Sequence, residues 1–73
     1  MPARPKHRAI LGQTIRRYRQ RAALSQEKLA EKAELSTVFI NRVEAGKENI
    51  SVDALYRIAR SLGVSLSELF ESA

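Results

Sequence analysis

Four side chains near the middle of the chain have the types and the spacing needed to contact the edges of DNA bases. They fall at positions i, i+1, i+4 and i+5, which share one face of a helix, and they are Thr37, Val38, Asn41 and Arg42. Arginine can bond guanine through two donors, asparagine can bond adenine, and valine or threonine can contact the methyl group of thymine. The pattern therefore predicts a helix whose outer face enters the major groove.

Two short predicted helices would hold this face in place. The first lies near Gln26–Ala33 and follows Ser25, whose hydroxyl can accept from a free amide at the helix start. The second lies within Ser36–Ala45, with Ile40 and Val43 directed inward. Two short helices joined by a tight turn are the pattern of a helix-turn-helix.

The rest of the chain also follows the helical period, and no stretch alternates as a strand would. A first helix of about 15 residues is expected before this unit, and two helices after it. Ser51 caps the fourth helix, Gly63 ends it, and the capping box Ser65–Glu68 starts the fifth. The predicted buried positions are Leu11, Ile15, Tyr18 and Ala22 in the first helix, and Val52, Leu55, Ala59 and Leu62 in the fourth. The prediction is an all-α fold of five helices.

Positive charge is concentrated at the amino-terminal end of the chain. The net charge is +5, and the first 26 residues hold seven lysines and arginines and no acid. Such an uneven field suits a polyanion, although a solvated helix face with a basic tail would give the same count. Residues 1–7 contain two prolines and are expected to form a flexible basic arm, free or in contact with DNA, before one domain over residues 8–73.

The sequence lacks the side chains that a metal site, a disulfide or a catalytic site would need. The chain has no cysteine, and its single histidine, His7, is not a ligand set for zinc. Nothing resembles a nucleophile beside a base, a carboxylate pair or a phosphate-binding glycine loop, so we expect neither an enzyme nor a cofactor. No apolar run approaches the roughly 18 residues of a membrane span, and no signal segment is recognisable, which favours a cytoplasmic protein.

Several spaced motifs resemble the phage-repressor/Cro-type (XRE-like) helix-turn-helix family. The resemblance covers about Leu11 to Phe70, nearly the whole chain, and it implies a lambda-repressor-like domain that binds double-stranded DNA. Its motifs are Leu24-Ser25-Gln26-Glu27-Lys28-Leu29-Ala30-Glu31-Lys32-Ala33, Leu35-Ser36, Ile40-Asn41-Arg42-Val43-Glu44-Ala45-Gly46-Lys47 and Leu62-Gly63-Val64-Ser65-Leu66-Ser67-Glu68-Leu69-Phe70.

The resemblance also implies roles for individual residues. Thr37, Val38 and Arg42 match positions that usually touch bases, with Asn41 beside them. Phosphate contacts are expected from Ser25, Gln26, Ser36, Phe39, Lys47 and Asn49. Phe39 is equally consistent with a place in the core. Arg19 and Glu44 match a partly buried ion pair, and Glu34 stands where the family usually has glycine, at a cost of roughly 1 kcal/mol if its backbone is left-handed.

We expect a transcriptional regulator that binds a symmetric operator as a homodimer, with half-sites about one helical turn apart. Leu66, Leu69 and Phe70 of the fifth helix would form the dimer interface, or would simply cover the end of the core. No small-molecule ligand is expected. The small size of the chain and its loop Asn49-Ile50-Ser51 are similar to those of controller proteins of restriction–modification operons. Phage repressors are the second group that it resembles. An antitoxin that also binds its operator, or a protein-interaction module without DNA binding, remains an alternative.

Overall fold

The computed structural model describes residues 6–70, which form five helices and no strand. The helices are α1 (Lys6–Arg21), α2 (Gln26–Ala33), α3 (Thr37–Glu44), α4 (Val52–Leu62) and α5 (Leu66–Phe70). The predicted all-α fold is therefore confirmed. Because α1 begins at Lys6, the last two residues of the predicted arm are helical, whereas residues 1–5 lie outside the described residues. The division into arm and domain stays a prediction.

Serine hydroxyls start four of these helices, as the sequence predicts. The Oγ atoms of Ser25, Ser36 and Ser51 accept hydrogen bonds from the backbone amides three residues later, at 2.9, 3.0 and 3.1 Å. Ser65 and Glu68 form the reciprocal capping box, with each side chain accepting from the other residue's amide. Each cap satisfies an amide that has no partner inside its helix, which fixes where the helix begins.

Four helices end in the same way, on a residue with a left-handed backbone. These residues are Ala23, Glu34, Gly46 and Gly63, with φ between 58° and 74°. At each end the left-handed residue and its successor donate amides back to the last turn of the helix, as in a Schellman motif. Glycine adopts this conformation freely, but alanine and glutamate do not. The left-handed Glu34 shows that the turn keeps the geometry that glycine would give it.

One large apolar side chain from each helix meets at the centre of the domain. These five side chains have no exposed surface, and they are Ile15, Leu29, Ile40, Ile58 and Leu69. Helix α2 packs against α3 and α4, and α5 packs against α1 and α4. Every helix therefore contributes to the same core, and a change in the volume of one of these side chains alters the packing of the others.

Two of the predicted buried positions are exposed. Val52 is 72% exposed because it lies at the edge of the apolar stripe of α4, whose buried side begins with Ala54 and Leu55. Ile58, which the prediction omitted, takes the central position instead. Ala22 is also exposed, because α1 ends at Arg21 and the chain turns at Ala23. At Val52 the helix was predicted correctly and its packing was not, whereas at Ala22 the predicted helix extends one residue beyond the end of α1.

Candidate nucleic-acid interface

Helix α3 has one buried face and one free face. Ile40, Val43 and Glu44 are buried on the inner side. On the outer side, all four predicted base-contacting side chains are exposed, namely Thr37, Val38, Asn41 and Arg42. Val38 is 69% exposed, which leaves an apolar surface among polar groups. The structure therefore brings these four side chains together on a surface that a DNA groove could cover.

A close approach of α1 fixes the position of α3 from behind. A Cβ atom added to Gly12 would lie 2.3 Å from the carbonyl oxygen of Val43 and 2.8 Å from that of Glu44. A Cβ atom at Gly46 would lie 2.9 Å from the Cα of Ala9. Both glycines thus allow α1 to touch the end of α3 backbone to backbone. Sequence analysis gave Gly12 no role, because its requirement arises only from the crossing of two helices.

The predicted partners Arg19 and Glu44 form a two-point ion pair between α1 and α3. The Nε and Nη2 atoms of Arg19 donate to the two carboxylate oxygens of Glu44 at 2.6 and 3.0 Å. The side chains are only 11% and 4% exposed. The Nη1 atom of Arg19 also donates to the carbonyl of Leu24, at 2.7 Å, in the turn before α2. One guanidinium group therefore joins α1, the turn and α3.

The side chain of Gln26 continues this network towards the outer face. Its Nε2 atom donates to Glu44 Oε1 at 3.1 Å, and its Oε1 atom accepts from Asn41 Nδ2 at 3.3 Å. The first residue of α2 is thus attached both to the buried ion pair and to a predicted base-contacting side chain. This arrangement orients Gln26 and Asn41 before any DNA is present.

Arg42 has a partner that the sequence analysis missed. Its Nε atom donates to Glu48 Oε2 at 2.7 Å, and its Nη2 atom donates to the carbonyl of Lys47 at 3.3 Å. Glu48 is six positions later in the chain, so no helical spacing pointed to it. The available signal was Gly46, since a left-handed residue after a helix sends the chain back along its last turn.

Besides Gln26, which is held in the network with Glu44 and Asn41, the predicted phosphate-contacting residues fall into three groups. Ser25 and Ser36 are exposed, and their hydroxyls already cap α2 and α3. Lys47 and Asn49 are exposed in the loop after α3. Phe39 is partly buried and packs against the core, so its ring contributes to the fold as well as to the surface.

The predicted dimer residues differ in how far they reach the surface. Leu69 is fully buried within the single chain, Leu66 is partly buried, and Phe70 is 50% exposed. Phe70 and Val52 line one shallow groove, and Tyr56 is the next residue along the same side of α4, 55% exposed. An apolar patch of Val52, Tyr56 and Phe70 therefore lies on α4 and α5, whereas Leu69 belongs to the core.

Other kinds of site are not found in the part of the chain that the structure describes. No group of three or more potential metal ligands occurs within residues 6–70. Among the described helices, none has the length and the apolar character needed to cross a membrane.

The five packed helices and the free face of α3 define a DNA-binding regulator of the helix-turn-helix class. The chain belongs to the helix-turn-helix family, since the model of that family matches residues 15–69. The predicted family is therefore confirmed, and it covers every element from the middle of α1 to α5.

Named relatives fall within the controller proteins and regulators. The control protein C.BamHI of Bacillus amyloliquefaciens is 35% identical over 65 residues, which are 88% of this chain and 80% of that protein. The crystal structure of the restriction-modification controller protein C.AhdI from Aeromonas hydrophila matches with a TM-score of 0.84 and 34% identity, over 85% of this chain and 94% of that one. The structure of SinR, a master regulator of biofilm formation in complex with DNA, matches with a TM-score of 0.80 and 31% identity, over 84% and 98%.

Proposed function

We propose that this chain is a sequence-specific transcriptional regulator that binds a symmetric DNA operator as a homodimer. Helix α3 would enter the major groove, with Thr37, Val38, Asn41 and Arg42 against the base edges. The observation that carries the proposal is the exposed face of α3 above a fully buried inner face. A groove-reading helix needs one face fixed and the other unobstructed, and this helix has both.

Phosphate contacts would set the register of α3 in the groove. Gln26 and Ser36 stand at the starts of α2 and α3, where free amides and the positive end of the helix dipole favour a phosphate. Further contacts are proposed from Ser25, Phe39, Lys47 and Asn49. Such contacts position a protein on DNA without reading its sequence.

The homodimer would form through the apolar patch of Val52, Tyr56 and Phe70. Three large apolar side chains stand at least half exposed on α4 and α5, outside the face of α3. A second copy placed on this patch by a two-fold axis would bury the same side chains from both sides. The two α3 helices could then meet half-sites roughly 34 Å apart.

Similarity to two controller proteins supports a role in a restriction–modification operon. The chain would act in the cytoplasm, as a regulator and not as an enzyme.

Selection of binding sites from random duplex DNA tests the proposed DNA binding. We expect a two-fold-symmetric motif that is bound at least about a thousandfold more tightly than scrambled DNA. Weak binding without an enriched motif would refute it.

Two substitutions separate base reading from phosphate contact. Arg42→Ala should weaken binding to the selected site by roughly 1–3 kcal/mol and relax one base position. Lys47→Ala should weaken all sequences alike and reduce the salt dependence by about one unit. If the two variants behaved identically across sites, the assignment of Arg42 to base contact and of Lys47 to phosphate contact would be wrong.

Sedimentation equilibrium tests the dimer. We expect Phe70→Glu to shift the free protein to monomer, because a charge would be buried in the interface. Ile10→Glu is the matched control, since Ile10 is exposed on α1 and is not among the residues of the patch. A Phe70→Glu protein that stays dimeric would exclude this patch as the interface.

A further inference from the structure

Arg42 is held along one edge of its guanidinium group in the DNA-free protein. The Nε–H donates to Glu48 Oε2 at 2.7 Å, and Nη2 donates to the carbonyl of Lys47 at 3.3 Å. An arginine side chain has five N–H donors in a rigid plane. The edge formed by Nε and Nη2 is therefore occupied, while Nη1 and the second hydrogen of Nη2 are left for another partner.

The loop that holds Arg42 is itself built on the end of α3. Gly46 donates its amide to the carbonyl of Val43 at 3.0 Å, and Lys47 donates its amide to the carbonyl of Arg42 at 2.9 Å. These bonds close a Schellman motif around the left-handed Gly46. The backbone and the side chain of Arg42 thus bind the same short segment, which brings Glu48 to the side of the guanidinium group.

The ion pair between Arg42 and Glu48 contributes little to folding. The side chains are 49% and 26% exposed, and exposed ion pairs stabilise proteins weakly. A carboxylate beside a DNA-binding surface also repels phosphates, which lowers affinity for any duplex. His7 and Arg8 line the same groove as Glu48, but the hydrogen bond of its carboxylate goes to Arg42. The effect of the pair is on the orientation of Arg42.

We propose that Glu48 is a positioning residue for base recognition, an inference that rests on the proposed function. By holding the Nε edge, Glu48 leaves Arg42 only its outer edge, formed by Nη1 and Nη2, for two hydrogen bonds to a guanine. The same restraint keeps the guanidinium group away from neighbouring phosphates. Glu48 therefore sets sequence preference without touching a base.

Three substitutions of Glu48 separate geometry from charge. Alanine removes the acceptor and the charge, aspartate keeps the charge but is too short, and glutamine keeps an acceptor at the same reach without the charge. Affinities would be measured for three duplexes. The first is the selected duplex, and the third is scrambled DNA. The second is the selected duplex in which one base pair is replaced, namely the pair at which Arg42→Ala relaxes the preference. Circular dichroism confirms that each variant is folded.

We expect Glu48→Ala and Glu48→Asp to lose about tenfold in preference for the Arg42-dependent base pair, which is within the range of one bidentate contact. Glu48→Gln should keep most of the preference. The salt slope for scrambled DNA should become steeper by about one in the alanine and aspartate variants, because the released Arg42 can reach a phosphate. The glutamine variant should bind scrambled DNA more tightly through the loss of the repelling charge alone, with an unchanged slope. The Arg42→Ala/Glu48→Ala double variant should show no more loss of preference than Arg42→Ala.

The inference is overturned if preference follows charge, with glutamine as weak as alanine and aspartate like the original protein. An additive double variant would overturn it too, because Glu48 would then act independently of Arg42. If Arg42→Ala relaxes no base pair, Glu48 has nothing to orient, although DNA binding itself can stand. An original protein that selects no motif refutes the proposed function and this inference together.

Discussion

Replacing Glu44 by glutamine should destabilise the domain by about 3–5 kcal/mol, the usual cost of leaving one partner of a buried ion pair alone. The Glu44 carboxylate accepts from Arg19 Nε and Nη2 and from Gln26 Nε2, at 2.6, 3.0 and 3.1 Å. Glutamine has one oxygen for these three donors, and its own NH2 group would face Arg19. The Arg19 side chain, only 11% exposed, would keep its charge without compensation.

This loss is large beside the stability of so small a chain. At about 0.05–0.15 kcal/mol per residue, a domain of this size has a free energy of unfolding of roughly 4–11 kcal/mol. Each kcal/mol lowers the Tm of such a domain by about 4–8 °C, so the expected fall is roughly 12–40 °C. Urea unfolding should be followed at several protein concentrations, because dimer formation makes stability depend on concentration.

Two further variants decide the interpretation. Glu31→Gln is the control, since it removes a carboxylate from the exposed pair with Lys28 and should change stability little. The Arg19→Met/Glu44→Leu double variant should recover much of the loss, because an apolar pair leaves no buried charge. A loss below about 1 kcal/mol for Glu44→Gln would refute the reasoning, as it is the value of an exposed pair.

Three other predictions follow from the geometry. Gly12→Ala should destabilise the domain by about 1–3 kcal/mol in urea unfolding, because its Cβ would overlap the carbonyl groups of α3, whereas an unchanged midpoint would disprove the close approach. Glu34→Gly and Ala23→Gly should each raise stability, since the left-handed strain of about 1–2 kcal/mol exceeds the added chain entropy, and a loss in both would contradict this. The hydrogen bond between Lys28 and Glu31 lowers the pKa of Glu31 and raises that of Lys28. The small contribution of this bond to stability should be lost as pH falls through the pKa of Glu31 in the folded protein, or as pH rises through the pKa of Lys28. Lys28→Met should raise the midpoint of the Glu31 titration measured by NMR.

The features that the sequence predicted correctly depend on neighbouring residues in the chain. A serine cap uses an amide three residues away, and an apolar stripe repeats within one helix, so Ser25, Ser36, Ser51 and Ser65 could be read without knowing the fold. The exposed face of α3 was predictable for the same reason, since it is the complement of Ile40 and Val43. These local rules were enough to locate all five helices.

The features that were missed depend on how the elements meet. Gly12 is needed only because α1 crosses the end of α3, and Val52 is exposed because the neighbouring helices cover the side of α4 that holds Ala54 and Leu55. Glu48 reaches Arg42 only through the turn at Gly46. Periodicity describes one helix at a time, so it contains no information on crossing points or on where a loop returns.

Two of the predicted base-contacting side chains, Asn41 and Arg42, are held in different ways, and this difference determines how variants must be interpreted. Asn41 bonds Gln26, which bonds Glu44, so its orientation depends on the ion pair that also supports the fold. Loss of DNA binding in a Glu44 variant therefore reports unfolding unless the folded fraction is measured. Arg42 is oriented by Glu48 in an ion pair that is more exposed than the pair of Arg19 and Glu44, so its loss should cost the fold less. Preference can consequently be changed at Glu48 in a protein that remains folded, whereas a change at Glu44 alters stability and binding together.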